Sequence, residues 1–526
     1  MPRSASTAER ITPEAGAGFP DEVDVAIVGS GPAGAAYART LSELAPHLRL
    51  AVFEAGPLIS DPPGTHVKNI VDSGERARAQ RASEGPRPLV EAVSTDTMDG
   101  YASDRPRLQR PGTFLLSEGR QGSGEDGLPA AAMSSNVGGM GAHWTGACPR
   151  PGDSEVIAFL PELSTWLAEA ERLLHVSAEV LADAPFADEV RKRLSVALDH
   201  DRVGDRQVQP MPMAVHRTPD GRLLWCGADT VFGDVTRANP RFSLHAEALV
   251  TQVLLTEGGP NGRAVRGLRI RDRRTDTDHE VAARYVVVAG DSLRTPQLLY
   301  ASGVRPAALG RYLNDQPQVV YAVRMRDLPD RTLVADDGVG VTASSGVAWV
   351  PFTDAHPYHG QVMQLDASPV PLADDDLKPG SVVGLGWFCA KELRAEDRVA
   401  FRDDDTDGYG MPAMDLHYRL TEADHAAVDG ARTEILRAAA ALGEPLDDTP
   451  PLLFPAGASL HYQGTVRMGT ADDGTSVCDP NSQVWGVSGL FVAGNGVIPT
   501  ATACNPTLTS VALAVAGARG IAAAES

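Results

Sequence analysis

The sequence predicts an α/β protein (α+β overall) with two domains: a Rossmann-type domain, and a second domain built on an antiparallel sheet packed with helices. Three observations predict it. A strand, turn, helix and strand follow one another near the N-terminus, and residues 283–289 form a run, apolar except for Arg284, that is typical of a buried parallel strand. The length of 526 residues exceeds the roughly 250–300 residues at which a single core stops growing.

The N-terminal unit begins with an apolar, β-rich run from Val23 to Val28, which ends at Gly29. An Ala-rich helical pattern follows to about Leu44, and a short strand is predicted from Leu48 to Phe53. The unit has about the 30 residues expected of a βαβ motif. We therefore assign residues 21–310 to the first domain, residues 311–450 to the second, and residues 451–526 to a return into the first.

The remaining segments differ in composition and periodicity. Residues 1–20 are a loose polar mixture and are expected to be disordered, and residues 57–133, rich in Pro, Gly, Arg, Asp and Ser, are expected to form a mobile insertion. Helices are predicted at 153–176, 186–200 and 421–442, the last with a capping box formed by Thr421 and Asp424. Strands are predicted at 242–255, 264–271, 283–289, 318–324 and 381–389.

Charge and cysteine usage exclude several classes of protein. The formal net charge of −22 argues against nucleic acid or an anionic membrane as a partner, because both favour basic surfaces. The five cysteines show neither disulfide-like nor metal-like spacing, so no metal site is predicted. No apolar signal segment opens the chain and no uninterrupted apolar window approaches about 18 residues, so a soluble, cytoplasmic protein is expected.

The turn after the first strand carries the fingerprint GxGxxG, formed by Gly29, Gly31 and Gly34. The first glycine permits a tight turn, the second lets a pyrophosphate approach the backbone, and the third allows close packing of helix on strand. Glu54 lies twenty residues beyond Gly34, where a carboxylate accepts hydrogen bonds from ribose hydroxyls. This context predicts a dinucleotide site.

The fingerprint serves NAD and FAD alike, and three further segments favour FAD. Gly138 and Gly139 open a glycine-rich run in which backbone can approach a flat ring closely. Gly494 and Asn495 follow the apolar strand 490–493. Asn505, Pro506 and Thr507 open an Ala- and Val-rich helix, for which Asn505 is the predicted N-cap and Pro506 the first residue.

Together these segments resemble the glucose-methanol-choline (GMC) oxidoreductase superfamily. The run from Gly138 to Thr145 is similar to that of pyranose oxidases and of bacterial relatives that oxidise glycosides. The resemblance implies FAD as cofactor, His461 and Asn505 as the catalytic pair, and Val250 as a backbone contact to the adenine. In fungal members the histidine that matches His143 carries the flavin covalently, and the resemblance leaves open whether His143 does so here.

The implied chemistry is the oxidation of a secondary hydroxyl at C2 or C3 of a pyranose sugar or glycoside. A neutral His461 imidazole removes the hydroxyl proton while the hydride moves to flavin N5, and Asn505 orients the oxygen. Oxygen or a quinone-type acceptor then reoxidises the flavin. Bulky C- or O-glucosides oxidised at C3 are favoured over free glucose, and the candidate substrate contacts are Thr145, Gln318 and Gln361.

Two alternatives to sugar oxidation stay open. The first is a GMC-type enzyme that acts on a non-sugar alcohol such as a sterol or a natural-product intermediate, and the second is a flavin-binding pseudoenzyme. The oligomeric state is also left open. His356 and His359, in a segment rich in Pro and Asp, are expected to face solvent.

Overall fold

A computed structural model of the protein describes residues 18–85, 112–115, 121–122, 124–182, 184–257, 262–328, 346–365 and 380–526. Residues 1–20 were predicted to be disordered, and residues 1–17 of this segment lie outside the described residues. The same holds for residues 86–111 of the predicted insertion at 57–133.

The described residues contain helices that we number in chain order: α1 (Pro32–Leu44), α2 (Ser73–Ala82), α3 (Leu163–Leu173), α4 (Ala187–Leu198), α5 (Ala228–Arg237), α6 (Arg294–Ala301), α7 (Glu422–Leu442) and α8 (Thr507–Ala524). The strands of the N-terminal half are β1 (Glu22–Val28), β2 (Leu50–Phe53), β3 (Phe114–Leu115), β4 (Ala132–Met133), β5 (Val176–Ser177), β6 (Gln209–Pro210), β7 (Met213–Arg217), β8 (Leu223–Trp225), β9 (Phe242–His245), β10 (Ala248–Leu255), β11 (Arg263–Asp272) and β12 (Thr277–Val288). Those of the C-terminal half are β13 (Gln318–Met325), β14 (Val347–Val350), β15 (Tyr358–Leu365), β16 (Val382–Cys389), β17 (Arg398–Thr406), β18 (Pro412–His417), β19 (Gly443–Pro445), β20 (Leu452–Leu453), β21 (Val487–Ser488) and β22 (Leu490–Val492).

The first sheet has the strand order β10-β11-β12-β1-β2-β9, with β22 added beside β12. Strands β12, β1, β2, β9 and β22 are paired in parallel, so their carboxyl ends meet at one edge. Ligands of open α/β sheets bind outside this edge. The residues that follow the strands, among them Gly29, Glu54 and Ala289, therefore lie together there.

Helix α8 belongs to the core of this first unit. It is long and apolar enough to cross a membrane, but 72% of its apolar window is buried inside the protein. It packs against α1 and α3, and its residues from Leu508 to Ala518 are buried. Its apolar composition is thus accounted for by packing.

The second sheet is antiparallel along most of its length, with the order β19-β13-β16-β15-β14-β6. Helices α4 and α7 pack together and share one buried core with this sheet. Strand β6 and helix α4 precede residue 311, the expected start of the second domain. The second unit therefore draws on an earlier part of the chain as well.

Most predicted elements are confirmed, and the errors have local causes. The capping box of α7 is present: Thr421 Oγ1 accepts from Asp424 N at 3.2 Å, and Asp424 Oδ2 accepts from Thr421 N at 2.8 Å. The helix predicted at 153–176 is wrong over its first ten residues, because α3 begins only after Pro161. Within the predicted insertion, Asp72 caps α2, so residues 73–82 are helical.

Candidate active site

A deep cavity lies at the carboxyl edge of the first sheet and extends to the C-terminal segment of the chain. The predicted site residues that line it are Gly29, Gly31, Glu54, Gly139, His143, Thr145, Val250, Gly494, Asn495, His461, Asn505 and Thr507. Gly34, Gly138, Pro506, Gln318 and Gln361 lie outside this lining. The structure thus brings both ends of the chain and its middle to one site.

The three fingerprint glycines meet different surroundings. A Cβ at Gly29 would lie 2.4 Å from Ala289 O, and one at Gly34 would lie 2.1 Å from Gly29 O. A Cβ at Gly31 would have only Gly138 O near it, at 3.9 Å. The first and third glycines are therefore required by the fold, whereas the second keeps open a cradle that only a ligand would fill. This arrangement fits the pyrophosphate of a dinucleotide.

Glu54 lies at the end of β2 and is buried. Its Oε2 accepts from Ser30 N at 3.1 Å and from Ser30 Oγ at 2.7 Å, and its Oε1 accepts from Gly56 N at 3.0 Å. Burial raises the pKa of this carboxyl, and the three hydrogen bonds oppose the shift. Glu54 is thus fixed beside the cradle, as expected for a group that accepts from a ribose.

Residues 139–141 and 143–145, in the run that begins at Gly138, form a second wall of the cavity. Gly138 has φ of 100°, which favours glycine, and its N–H donates to Ser30 Oγ at 2.9 Å. Trp144 Nε1 donates to Cys226 O at 2.8 Å, and Trp144 O accepts from His66 Nε2 at 2.8 Å. Sequence reasoning missed His66, because its partner lies 78 residues away.

His143 lines the cavity with its imidazole largely buried. Its Nε2 lies 3.1 Å from Ser83 Oγ and 3.2 Å from Asn136 Oδ1, whereas its Nδ1 has no hydrogen-bond partner among the residues that the structure describes. Burial lowers the pKa of His143 to about 4, so the ring is neutral. A covalent bond from His143 to the flavin stays a prediction.

His461 is oriented by a fixed side-chain amide. Gln316, fully buried, donates through Nε2 to Thr502 O at 2.9 Å and to Cys504 O at 2.8 Å. Because both partners are carbonyls, Nε2 must be the donor and Oε1 the acceptor. Oε1 lies 2.7 Å from His461 Nδ1, so Nδ1 carries the proton and Nε2 carries the lone pair.

Asn505 continues this chain of hydrogen bonds on the other side of the imidazole. Its Nδ2 donates to His461 Nε2 at 3.3 Å, and its Oδ1 accepts from Gln361 Nε2 at 2.5 Å. The chain runs in one direction, from Gln361 through Asn505 and His461 to Gln316. Each donor faces an acceptor, and the basic nitrogen of His461 points to the amide of Asn505.

Two buried carboxylates hold the segments that carry these residues. Asp315 accepts from Gly457 N at 2.7 Å and from the Ser459 hydroxyl, and Ser459 Oγ accepts from His461 N at 3.0 Å. Burial raises the pKa of Asp315 to about 6. Glu155 accepts through Oε1 from Ala503 N at 2.7 Å and from Cys504 N at 2.9 Å.

Several sequence predictions need correction. Asn505 is not the N-cap of α8, which begins at Thr507, because its side chain is engaged by His461 and Gln361 instead. His359 does not face solvent: it lies on the central strand β15, is fully buried, and accepts at Nδ1 from Trp349 Nε1 at 3.1 Å. Burial and His461 lower the pKa of His359 to about 3.

The candidate substrate contacts are placed in three different surroundings. Thr145 is exposed on the cavity wall, while Gln361 is buried against Asn505. Gln318 is buried on β13, and within the described part of the chain its Oε1 has no hydrogen-bond partner. Contact with a substrate stays a prediction for all three.

Comparison with known proteins identifies the family. Two family models, both described as GMC oxidoreductase, match residues 162–318 and 395–514. The chain belongs to the GMC oxidoreductase family. It is 62% identical over 512 residues to a C-glycoside 3-oxidase of Microbacterium trichothecenolyticum, with 96% of this chain and 97% of the relative covered.

Two more distant matches extend the comparison to a pyranose 2-oxidase and a formate oxidase. A pyranose 2-oxidase of Tricholoma matsutake is 32% identical, over 95% of this chain and 93% of the relative. The structure of formate oxidase from Aspergillus oryzae matches with a TM-score of 0.66 at 14% identity, over 97% of this chain and 99% of that chain. At this identity the structural match shows the fold alone.

Family and site agree on the cofactor. The open cradle at Gly31, the fixed carboxylate of Glu54 and the positive φ of Gly138 and Gly494 fit FAD, the cofactor of GMC oxidoreductases. The protein is therefore an FAD-dependent oxidoreductase that acts on CH–OH groups.

Proposed function

We propose that this GMC oxidoreductase oxidises a secondary hydroxyl of a pyranose glycoside, at C3, to the ketone. The observation that carries the proposal is the directed hydrogen-bond chain from Gln361 through Asn505 and His461 to Gln316, in which Asn505 and His461 line the cavity. The 62% identity with a C-glycoside 3-oxidase supports oxidation at C3 of a C-glycoside.

His461 Nε2 is the base of the proposed reaction. The 3.3 Å bond from Asn505 Nδ2 is long, so a substrate hydroxyl can replace it by donating to His461 Nε2 and accepting from Asn505 Nδ2. As the proton moves to Nε2, the imidazole becomes a cation whose Nδ1–H still donates to Gln316 Oε1. The same nitrogen returns the proton to solvent or acceptor in the second half of the cycle.

FAD, when bound, accepts the hydride that leaves the carbinol carbon. Gly31, Glu54, Gly139 and Val250 would hold its dinucleotide part, since all four line the cavity. The first turn of α8 also borders the cavity through Thr507, and a helix N-terminus stabilises negative charge placed beside it. We further propose oxygen or a quinone as the terminal acceptor and a cytoplasmic location.

The experiment uses selective deuteration. Purified holoenzyme is mixed anaerobically with an aryl C-glucoside that carries deuterium at C3 or at C2, and the loss of flavin absorbance is followed. We expect the C3 label to slow flavin reduction and the C2 label to leave it unchanged. Slowing by the C2 label alone would contradict oxidation at C3.

The same assay separates the alternatives. Reduction by free glucose with a higher kcat/KM than by the matched glucoside would contradict the preference for a bulky aglycone. Reduction by a sterol but by no sugar would support the non-sugar alternative, and a flavin that no alcohol reduces would indicate a pseudoenzyme. Acid precipitation tests the His143 link, because a covalent flavin stays with the denatured chain.

A further inference from the structure

Two imidazoles and a thiol converge on the small sheet formed by β5, β7 and β8, outside the FAD cavity. His175 directly precedes β5, His216 lies on β7, and Cys226 directly follows β8. One ligand atom from each lies within 4.8 Å of the other two. The positions are 41 and 10 residues apart, a spacing that matches no metal motif, so the sequence predicted no metal site.

Two distances, one between Cys226 and His216 and one between His175 and His216, fit a common tetrahedral centre. Zinc bonds of about 2.3 Å to sulfur and about 2.05 Å to nitrogen place those two atoms about 3.6 Å apart. Cys226 Sγ lies 3.4 Å from His216 Nδ1. Two imidazoles on one tetrahedral zinc have ring centroids about 5.2 Å apart. The rings of His175 and His216 are 5.0 Å apart at an interplanar angle of 71°.

The surroundings allow a cation. Asp229 lies close enough for its carboxylate to act electrostatically on all three side chains. Two guanidinium groups near His175, those of Arg39 and Arg172, are each paired with Glu43, at 2.5 Å and 3.1 Å. Burial lowers the pKa of both histidines, which favours the neutral imidazole whose lone pair a metal needs.

We propose that His175, His216 and Cys226 form a zinc site with water as the fourth ligand. Binding converts the Cys226 thiol to a thiolate: the S–H proton is released to solvent and a sulfur–zinc bond replaces it, with no change of oxidation state. The buried Cys226 and half-buried His216 would anchor the ion, and the exposed His175 would close the site from the solvent side.

The ion would join three separate segments and act on the FAD cavity indirectly. It would tie the end of α3 to β7 and to the turn before α5. The carbonyl of Cys226 accepts from Trp144 Nε1 at 2.8 Å, and Trp144 lines the cavity. The proposed role is therefore structural, in that the ion fixes the wall that carries Trp144.

The test uses cobalt as a probe. Holoenzyme treated with a chelator is titrated with Co²⁺, and difference spectra are recorded against the same protein without cobalt. We expect a thiolate-to-cobalt charge-transfer band that saturates at one equivalent per chain and disappears when Zn²⁺ is added. Zn²⁺ should also raise the Tm of the chelator-treated holoenzyme.

Three variants decide which residues are responsible. Cys226→Ser should abolish the band, and Cys148→Ser, which removes a neighbouring buried thiol outside the cluster, should keep it. His175→Gln changes an exposed side chain, so it should fold and should lose saturable binding. No saturating band in the parent protein, or an unchanged band and Tm shift in His175→Gln, would overturn the proposal.

Discussion

Replacing Gln316 by leucine removes the group that sets the tautomer of His461. The variant keeps a side chain of similar volume but leaves Nδ1–H of His461 without its acceptor at 2.7 Å. It also removes the donor to the carbonyls of Thr502 and Cys504. The imidazole can then carry its proton on Nε2 instead of Nδ1, and a protonated Nε2 cannot accept the substrate proton.

The structure allows an estimate of the effect. A buried donor without a partner costs about 1–3 kcal/mol. Because each 1.36 kcal/mol corresponds to about a factor of ten in rate, flavin reduction should slow by about 5- to 150-fold. The dissociation constant of the substrate should change much less, because His461 Nε2 contributes mainly as the proton moves.

The assay is anaerobic stopped-flow reduction of the bound flavin over a range of glucoside concentrations, which separates the limiting rate from substrate binding. Gln364→Leu is the matched control, since Gln364 Nε2 also donates to two backbone carbonyls, those of Pro185 and Gly380, away from His461. A limiting rate in Gln316→Leu equal to that of Gln364→Leu would refute the assigned tautomer.

Three further predictions concern the cradle and the two buried carboxylates. Gly31→Ala should leave the Tm of the apoprotein unchanged but weaken FAD binding. Gly34→Ala should lower the Tm of the apoprotein, because its Cβ would meet Gly29 O at 2.1 Å. Equal Tm values for the two apoprotein variants would contradict this prediction. Burial raises the pKa of Asp315 from 3.8 to about 6, so its contribution to stability is present below its unfolded pKa and is lost as pH rises through about 6. In urea unfolding, the stability of the parent relative to Asp315→Asn should therefore fall by up to about 3 kcal/mol between about pH 4 and pH 6.5, and a rise in stability over that range would contradict this prediction. Glu155→Gln replaces the carboxylate oxygen that accepts from Gly152 N with an NH₂ donor, and should lower the free energy of unfolding by about 1–3 kcal/mol in the same urea assay. An unchanged unfolding midpoint would show that this hydrogen bond contributes nothing.

The sequence predicted the parts of the fold and site that depend on local signals. The fingerprint of Gly29, Gly31 and Gly34 is encoded within six residues, and the capping box of α7 within four. His461 and Asn505 were found through resemblance, and the structure places their side chains 3.3 Å apart. These signals survive because they do not depend on the packing of distant segments.

The contacts that the sequence did not indicate are long-range, including that of Gln361, which was predicted only as a substrate contact. Gln316 lies 145 residues from His461, Gln361 lies 144 residues from Asn505, and Glu155 lies 348 residues from Ala503. No periodicity links such positions. The prediction that His359 faces solvent was wrong for a related reason. Its Pro- and Asp-rich neighbours suggested a surface loop, whereas β15 lies inside the sheet between β14 and β16.

The proposed reaction depends most directly on His461 as the base that takes the hydroxyl proton. The measurement is the rate of anaerobic flavin reduction by an aryl C-glucoside in His461→Ala, with FAD content confirmed from the visible spectrum. We predict that the variant keeps its FAD and that reduction slows by about 10²- to 10⁴-fold, the usual contribution of a general base. Reduction at the parental rate by an FAD-loaded His461→Ala would contradict the account.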